Sequence, residues 1–133
     1  TVDGLTAHSV SRLGKALRHQ KRYAESEAAA RKFVAIETKL YPNEDDPELY
    51  FAYNQLTDIL ADEGAALKNP AKTADAIVSG KETLRLMLKI SGADNPESQT
   101  FARWFVGFLK YWHHDSEATE AAKQAGIPLD KPK

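Results

Sequence analysis

Three times in this chain an Asp or Asn stands immediately before a proline: Asp46-Pro47-Glu48, Asn69-Pro70 and Asn95-Pro96-Glu97. The side chain of the first residue accepts from orphan amides at a helix start, and proline is pre-set for the first helical position. Each pair therefore opens a helix. Between these boundaries apolar residues recur at helical spacing, and no block of alternating β-rich sequence competes. The pattern predicts helices over 6–20, 23–41, 47–66, 70–91 and 96–112. A last helix, capped by Asp115-Ser116 and opening near Ser116, ends at Gly126. Residues Thr1 to Leu5 read as a lead-in, with Asp3-Gly4 a turn signal and Thr6 a cap.

The helices fall into pairs, and the pairs repeat. Leu13 and Leu17 map onto Leu56 and Leu60 at a shift of 43 (56 minus 13), and these onto Phe105 and Leu109 at 49 (105 minus 56). The helix-opening prolines obey the same shift, 96 minus 47. Ala24-Glu25 fall on Ala74-Asp75 at a shift of 50, so the middle pair carries about seven extra residues around Gly64 to Pro70. One helix hairpin cannot bury its own apolar face, so such hairpins must stack.

Leu13-Gly14, Leu17, Tyr23, Ser26, Ala30 and Phe33 stand at the spacing of a tetratricopeptide repeat. The stretch from Leu13 to Pro47 resembles that family, in which Leu-Gly packs two helices closely and Tyr closes the turn. Its long second helix and acidic loop, Tyr41-Pro42-Asn43-Glu44-Asp45-Asp46-Pro47, are more similar to the extended repeats of about 42 residues found in kinesin light chains. The resemblance implies an all-α domain over 1–133, a short right-handed superhelix of three helix pairs. Repeat one would cover 6–43, repeat two 47–92, repeat three with a capping helix 96–126, and a tail 127–133. Repeat two departs from the pattern with Thr57 for the glycine and Lys72 or Thr73 for the turn tyrosine. Repeat three has Phe105-Val106 for Leu-Gly and a shortened last helix.

The chemistry the sequence excludes is broad. There is no cysteine, so thiol catalysis, disulfides and cysteine-bound zinc are absent. The net charge of −1 gives no global drive toward nucleic acid or membrane, and no run of 18 apolar residues is long enough to span a bilayer. No phosphate loop, dinucleotide fingerprint, nucleophile elbow or paired His-Glu zinc pattern occurs, so the expectation is a non-enzyme without cofactor or metal. His8 and His19 share a helix face but stand about 16 Å apart along it, too far for one ion. His113-His114-Asp115 reads as a charge feature at a helix end. The chain starts at Thr1, as a processed or cut chain does, so compartment stays open, with the cytoplasm favoured.

Charge is segregated along the chain. From Gly4 to Tyr23 there are five Lys or Arg and no acid, whereas Tyr41 to Leu67 has seven acids and no Lys or Arg. In the family the first helix of each pair lines the concave face. By register, the resemblance implies groove residues His8, Ser11, Lys15, Arg18 and His19 from the first helix. It adds Phe51, Asn54, Asp58 and Asp62 from the third, and Thr100, Arg103, Lys110 and Tyr111 from the fifth. Asn54 falls where extended repeats often carry an asparagine that clamps a peptide backbone. The implied partner is a peptide or protein segment of mixed charge. Alternatively, Lys15 and Arg18 pair with Asp58 and Asp62 across neighbouring helices. A nucleic-acid stripe of Arg12, Lys15, Arg18 and Arg22 is disfavoured by the acidic helix beside it. The helix over 96–112 is apolar nearly all round: Phe101, Phe105, Phe108 and Trp112 form one stripe, with Trp104 and Tyr111 outside it. Either its neighbours cover it, or Trp104 and Tyr111 face a partner or a second copy.

Overall fold

The computed structural model describes residues 2–128, with side chains from Thr6 onward. The described residues form six α-helices and no strand: α1 (Val2–His19), α2 (Tyr23–Leu40), α3 (Pro47–Ala66), α4 (Pro70–Ile90), α5 (Pro96–Tyr111) and α6 (Asp115–Ala125). Asp46 Oδ1 accepts from the Glu48 amide at 2.9 Å, Asn69 Oδ1 from Ala71 at 3.1 Å and Asn95 Oδ1 from Glu97 at 2.9 Å. The three Asx-Pro caps thus all act as read from the sequence.

Two starts differ from expectation. Helix α1 runs back to Val2, through the expected turn at Asp3-Gly4 and past the expected cap Thr6. A glycine in a helix costs only about 1 kcal/mol against alanine, too little to stop one whose later turns are packed. Helix α6 starts at Asp115 rather than Ser116, with His114 as N-cap and no side-chain capping bond. Thr1 and the tail beyond Pro128 lie outside the described residues.

A repeat that the sequence hides is visible in the backbone. The chains leaving α1, α3 and α5 turn through left-handed residues Lys21 (φ 60°), Lys68 (φ 50°) and His113 (φ 64°). In each, the next amide returns to a carbonyl five residues back: Arg22 to Leu17 (2.9 Å), Asn69 to Gly64 (2.9 Å) and His114 to Leu109 (2.7 Å). These are Schellman ends made without glycine. They escape a reading that looks for glycine as the stop signal.

Two compact units make up the chain, the first ending at Thr83 and the second beginning at Leu84. In the first, Ala7, Val10 and Leu17 of α1 recur at helical spacing and meet Ala29 and Phe33 of α2 and Ala52 of α3. Burying Phe33 contributes about 2 to 3 kcal/mol. Gly14 leaves room for a side chain of α3, since a Cβ there would stand 2.8 Å from Gln55 Nε2, and α2 is tied to the same point by Ser26 Oγ, which donates to the Gly14 carbonyl at 2.8 Å. Leu13, expected to share that packing, is 53% exposed, because the side of α1 it projects from is uncovered. Its counterparts Leu56 and Phe105 are buried.

The second hairpin solves the same contact differently. Thr57 replaces the glycine, and its Oγ1 bonds the Tyr53 carbonyl (2.8 Å), Ser79 Oγ (2.8 Å) and Thr83 Oγ1 (3.3 Å). Three buried hydroxyls satisfy one another where the first hairpin uses backbone contact. The close approach has moved to Gly64, where a Cβ would fall 2.5 Å from Thr73 Oγ1. The extra residues of the middle pair extend the end of α3 and the start of α4 rather than forming a loop, since three residues separate α3 from α4 just as three separate α1 from α2.

In the second unit α5 packs on α6. Ala118, Ala121, Ala122 and Ala125 form the buried stripe of α6, and Gly126 (φ 67°) ends it in a left-handed cap. Gln99 Nε2 ties α5 to the Ala93 carbonyl (2.6 Å) and the Ala125 carbonyl (3.0 Å).

Candidate functional site

Helices α1 and α3 run in the same direction side by side. Ser11 Oγ donates to Gln55 Oε1 at 2.7 Å, Gln55 Nε2 returns a bond to the Ser11 carbonyl at 3.0 Å, and Arg18 Nε meets Asp62 Oδ2 at 2.5 Å. Each pair is 44 residues apart, so one register holds along the interface. Between the helices lies a hollow of about 340 Å³ lined by His8, Ser11, Lys15 and Arg18 of α1, Phe33 of α2, and Glu48, Phe51, Asn54, Gln55, Asp58 and Ile59 of α3.

The polar groups of this hollow divide into locked and uncommitted ones. Ser11 and Gln55 hold each other, and Arg18 is held by Asp62. Among the described residues Lys15, Asn54 and Asp58 have no side-chain hydrogen bond or ion pair, yet all three face the same space. Burial holds the Asp58 carboxyl above its ordinary range, Arg18 opposing and Asp62 adding to the shift. Phe51 contributes an exposed ring, packed at 5.0 Å against Tyr50. Such a surface offers a donor and acceptor amide, a cation, an acid and an apolar ring to one guest.

Of the expected groove residues, His8, Ser11, Lys15, Arg18, Phe51, Asn54 and Asp58 come together here. Two others lie outside this hollow: His19 is exposed and does not line it, and Asp62 stands off it, bound to Arg18. The alternative of pairing between neighbouring helices holds for Arg18 with Asp62 and not for Lys15. Thr100, Arg103, Lys110 and Tyr111 are exposed residues of α5 in the second unit, and none lines the hollow. Phe33, Glu48, Gln55 and Ile59 were missed. Glu48 was within reach, since it continues the Phe51, Gln55 and Asp58 row by one turn; Phe33 comes from α2 and needed the fold.

The α5 aromatics form a ladder. Phe101 stacks on Phe105 (5.6 Å), Trp104 on Phe108 (5.1 Å), and Tyr111 meets Trp112 edge-on (5.1 Å). Phe101 and Phe105 are buried, whereas Trp104 is 40% and Tyr111 73% exposed. At the other histidine pair, His114 Nδ1 lies 2.9 Å from Glu117 Oε1. No group of three potential metal ligands occurs among the described residues, and no described helix is long and apolar enough to cross a membrane. No protein-family model matches the chain, and no curated protein matches it.

Proposed function

We propose that this chain is a non-catalytic interaction module of the tetratricopeptide kind, which holds an extended peptide segment of mixed charge between α1 and α3. The observation that carries this reading is the set of uncommitted Lys15, Asn54 and Asp58 side chains around one hollow, above a floor locked by Ser11 and Gln55. A surface meant only for solvent has no need of a pre-built floor. Asn54 offers both halves of an amide to a peptide backbone, Phe51 takes an apolar side chain, and the charges set register and encounter rate more than strength. Selection of random heptapeptides displayed on phage tests it. Asn54→Ala and Lys15→Glu should each weaken the selected peptides about tenfold, with the thermal midpoint unchanged to within a degree or two. Selection that enriches nothing sensitive to either substitution overturns the reading.

A second reading is self-assembly through α5, favoured by the exposure of Trp104 and Tyr111 at the edge of a continuous aromatic ladder. Aromatic rings of this size dominate interface energetics when a partner covers them.

A further inference from the structure

We propose that the His8–Glu48 end of this groove receives a cationic side chain, Lys or Arg, of the bound segment, so that the segment lies in one direction only. The inference rests on the groove reading and adds the chemistry of its ligand.

The residue that points to it is Glu37 of α2, which lies behind the groove and does not line it. Its side chain is 3% exposed, and its Oε2 has no hydrogen-bond partner. A buried carboxylate is normally matched by a cation or by donors, so an orphan oxygen needs a counterpart. Glu37 follows Phe33 by one turn on the same face of α2, and Phe33 lines the groove. The groups that act on it are charged. Burial raises its pKa, Glu48 and Asp46 raise it further, and His8 alone opposes them. The same acids, with Asp45, push the Tyr41 hydroxyl upward. Glu48 and Asp46 thus place negative charge beside the buried Glu37 at one end of the groove and disfavour its ionisation, which a cation arriving at Glu48 would relieve, with His8 the group that opposes them.

Glu37 is too deep to touch a guest. Glu48 and His8 form the mouth, and an ammonium or guanidinium placed at Glu48 feels the charge behind it in a medium that screens poorly. The far end carries both signs: Lys15 lies seven residues along α1 from His8, about 10 Å, and shares the hollow with Asp58, while Arg18 is held by Asp62. A fixed basic residue at the Glu48 end is therefore what sets the direction of the segment.

The phage selection described above supplies the probe: the enriched heptapeptides, synthesised and titrated against the whole chain. Peptides that depend on Asn54 should share a position-fixed Lys or Arg. Replacing that residue by glutamine should weaken binding roughly three- to tenfold on the wild type and have little effect on Glu48→Gln. Glu37→Gln, which keeps the buried shape while removing the charge, should reduce the same preference. On Glu48→Lys the selection should turn to an acidic residue at that position. Peptides that need Asn54 but carry no fixed basic residue, or whose basic residue counts equally on wild type and Glu48→Gln, overturn the polarity and leave the groove standing. If no peptide depends on Asn54, the groove reading fails first.

Discussion

Glu63 of α3, only 3% exposed, stands against the carboxylate of Glu27 on α2, a pairing of two acids that can be a hydrogen bond only when one of them holds a proton. Glu27 also accepts from Lys72 Nζ of α4 (2.7 Å) and from Arg31 Nε (2.7 Å), whose guanidinium stands 3.7 Å from Asp75. Burial would raise Glu27, but the bonds from Glu63, Lys72 and Arg31 outweigh it and hold its pKa at about 2. Burial and the neighbouring Glu27 push Glu63 up to about 7. Below about 7 a proton on Glu63 can link α3 to the Glu27 carboxylate of α2, and Lys72 ties α4 to the same carboxylate.

Stability should therefore fall as pH rises from about 4.5 to about 7. In that window the unfolded chain has lost the Glu63 proton while the folded chain still holds it, so the favourable contribution below 4.5 disappears through 7. Glu27 contributes in the other direction, its share being present above 4.5 and lost as pH falls toward 2. The Glu63 loss is of order 1 to 3 kcal/mol, several degrees of thermal midpoint between pH 5 and pH 8. Glu63→Gln, whose amide imitates the protonated acid, should melt above the wild type at pH 8 and near it at pH 5. A wild-type midpoint flat over this range would refute the shared proton.

The helical glycines Gly64 and Gly107 should respond oppositely to alanine. Gly64→Ala drives a methyl to 2.5 Å from Thr73 Oγ1 and 2.9 Å from the Thr73 amide nitrogen, and overpacking of this kind costs about 1 to 3 kcal/mol. Gly107→Ala meets nothing within 4 Å and should stabilise by up to about 1 kcal/mol. Urea midpoints at constant slope measure both.

Thr57→Gly gives the second hairpin the residue that the first has at the matching position, Gly14, yet it should destabilise. It removes the hydroxyl bonded to Ser79 and the Tyr53 carbonyl, opens space in the contact and adds the helix penalty of glycine, together about 2 to 4 kcal/mol. Thr57→Val, keeping the volume, should lose about 1 to 2 kcal/mol. Equal stability of wild type and the glycine variant would show that the hydroxyl cluster contributes nothing.

Self-association through α5 predicts a sedimentation coefficient that rises over a hundredfold range of concentration, and Trp104→Glu or Tyr111→Asp should abolish the rise. A strict monomer at every concentration removes that reading. The groove between α1 and α3 is untouched by either result.

The sequence by itself determined the six helices and most of their ends. The reason is local: an Asx side chain capping the second amide after it, a proline at the first helical position and apolar residues one turn apart all act within a few residues. Most of the hollow's lining was legible for a related reason, since His8, Ser11, Lys15 and Arg18 share one face of α1, and Phe51, Asn54 and Asp58 one face of α3, whatever those helices pack against. Tertiary structure decided the rest. Whether Arg18 or Lys15 would find an acid, whether Gln55 would brace Ser11, and that Glu27 and Glu63 would share a proton all depend on how far each helix is rotated about its axis. That rotation is set by which small residues let the helices approach, Gly14 where α1 meets Gln55 of α3 and Gly64 with the Thr57 hydroxyls where α3 meets α4. A repeat pattern averages over such differences; packing at close range does not.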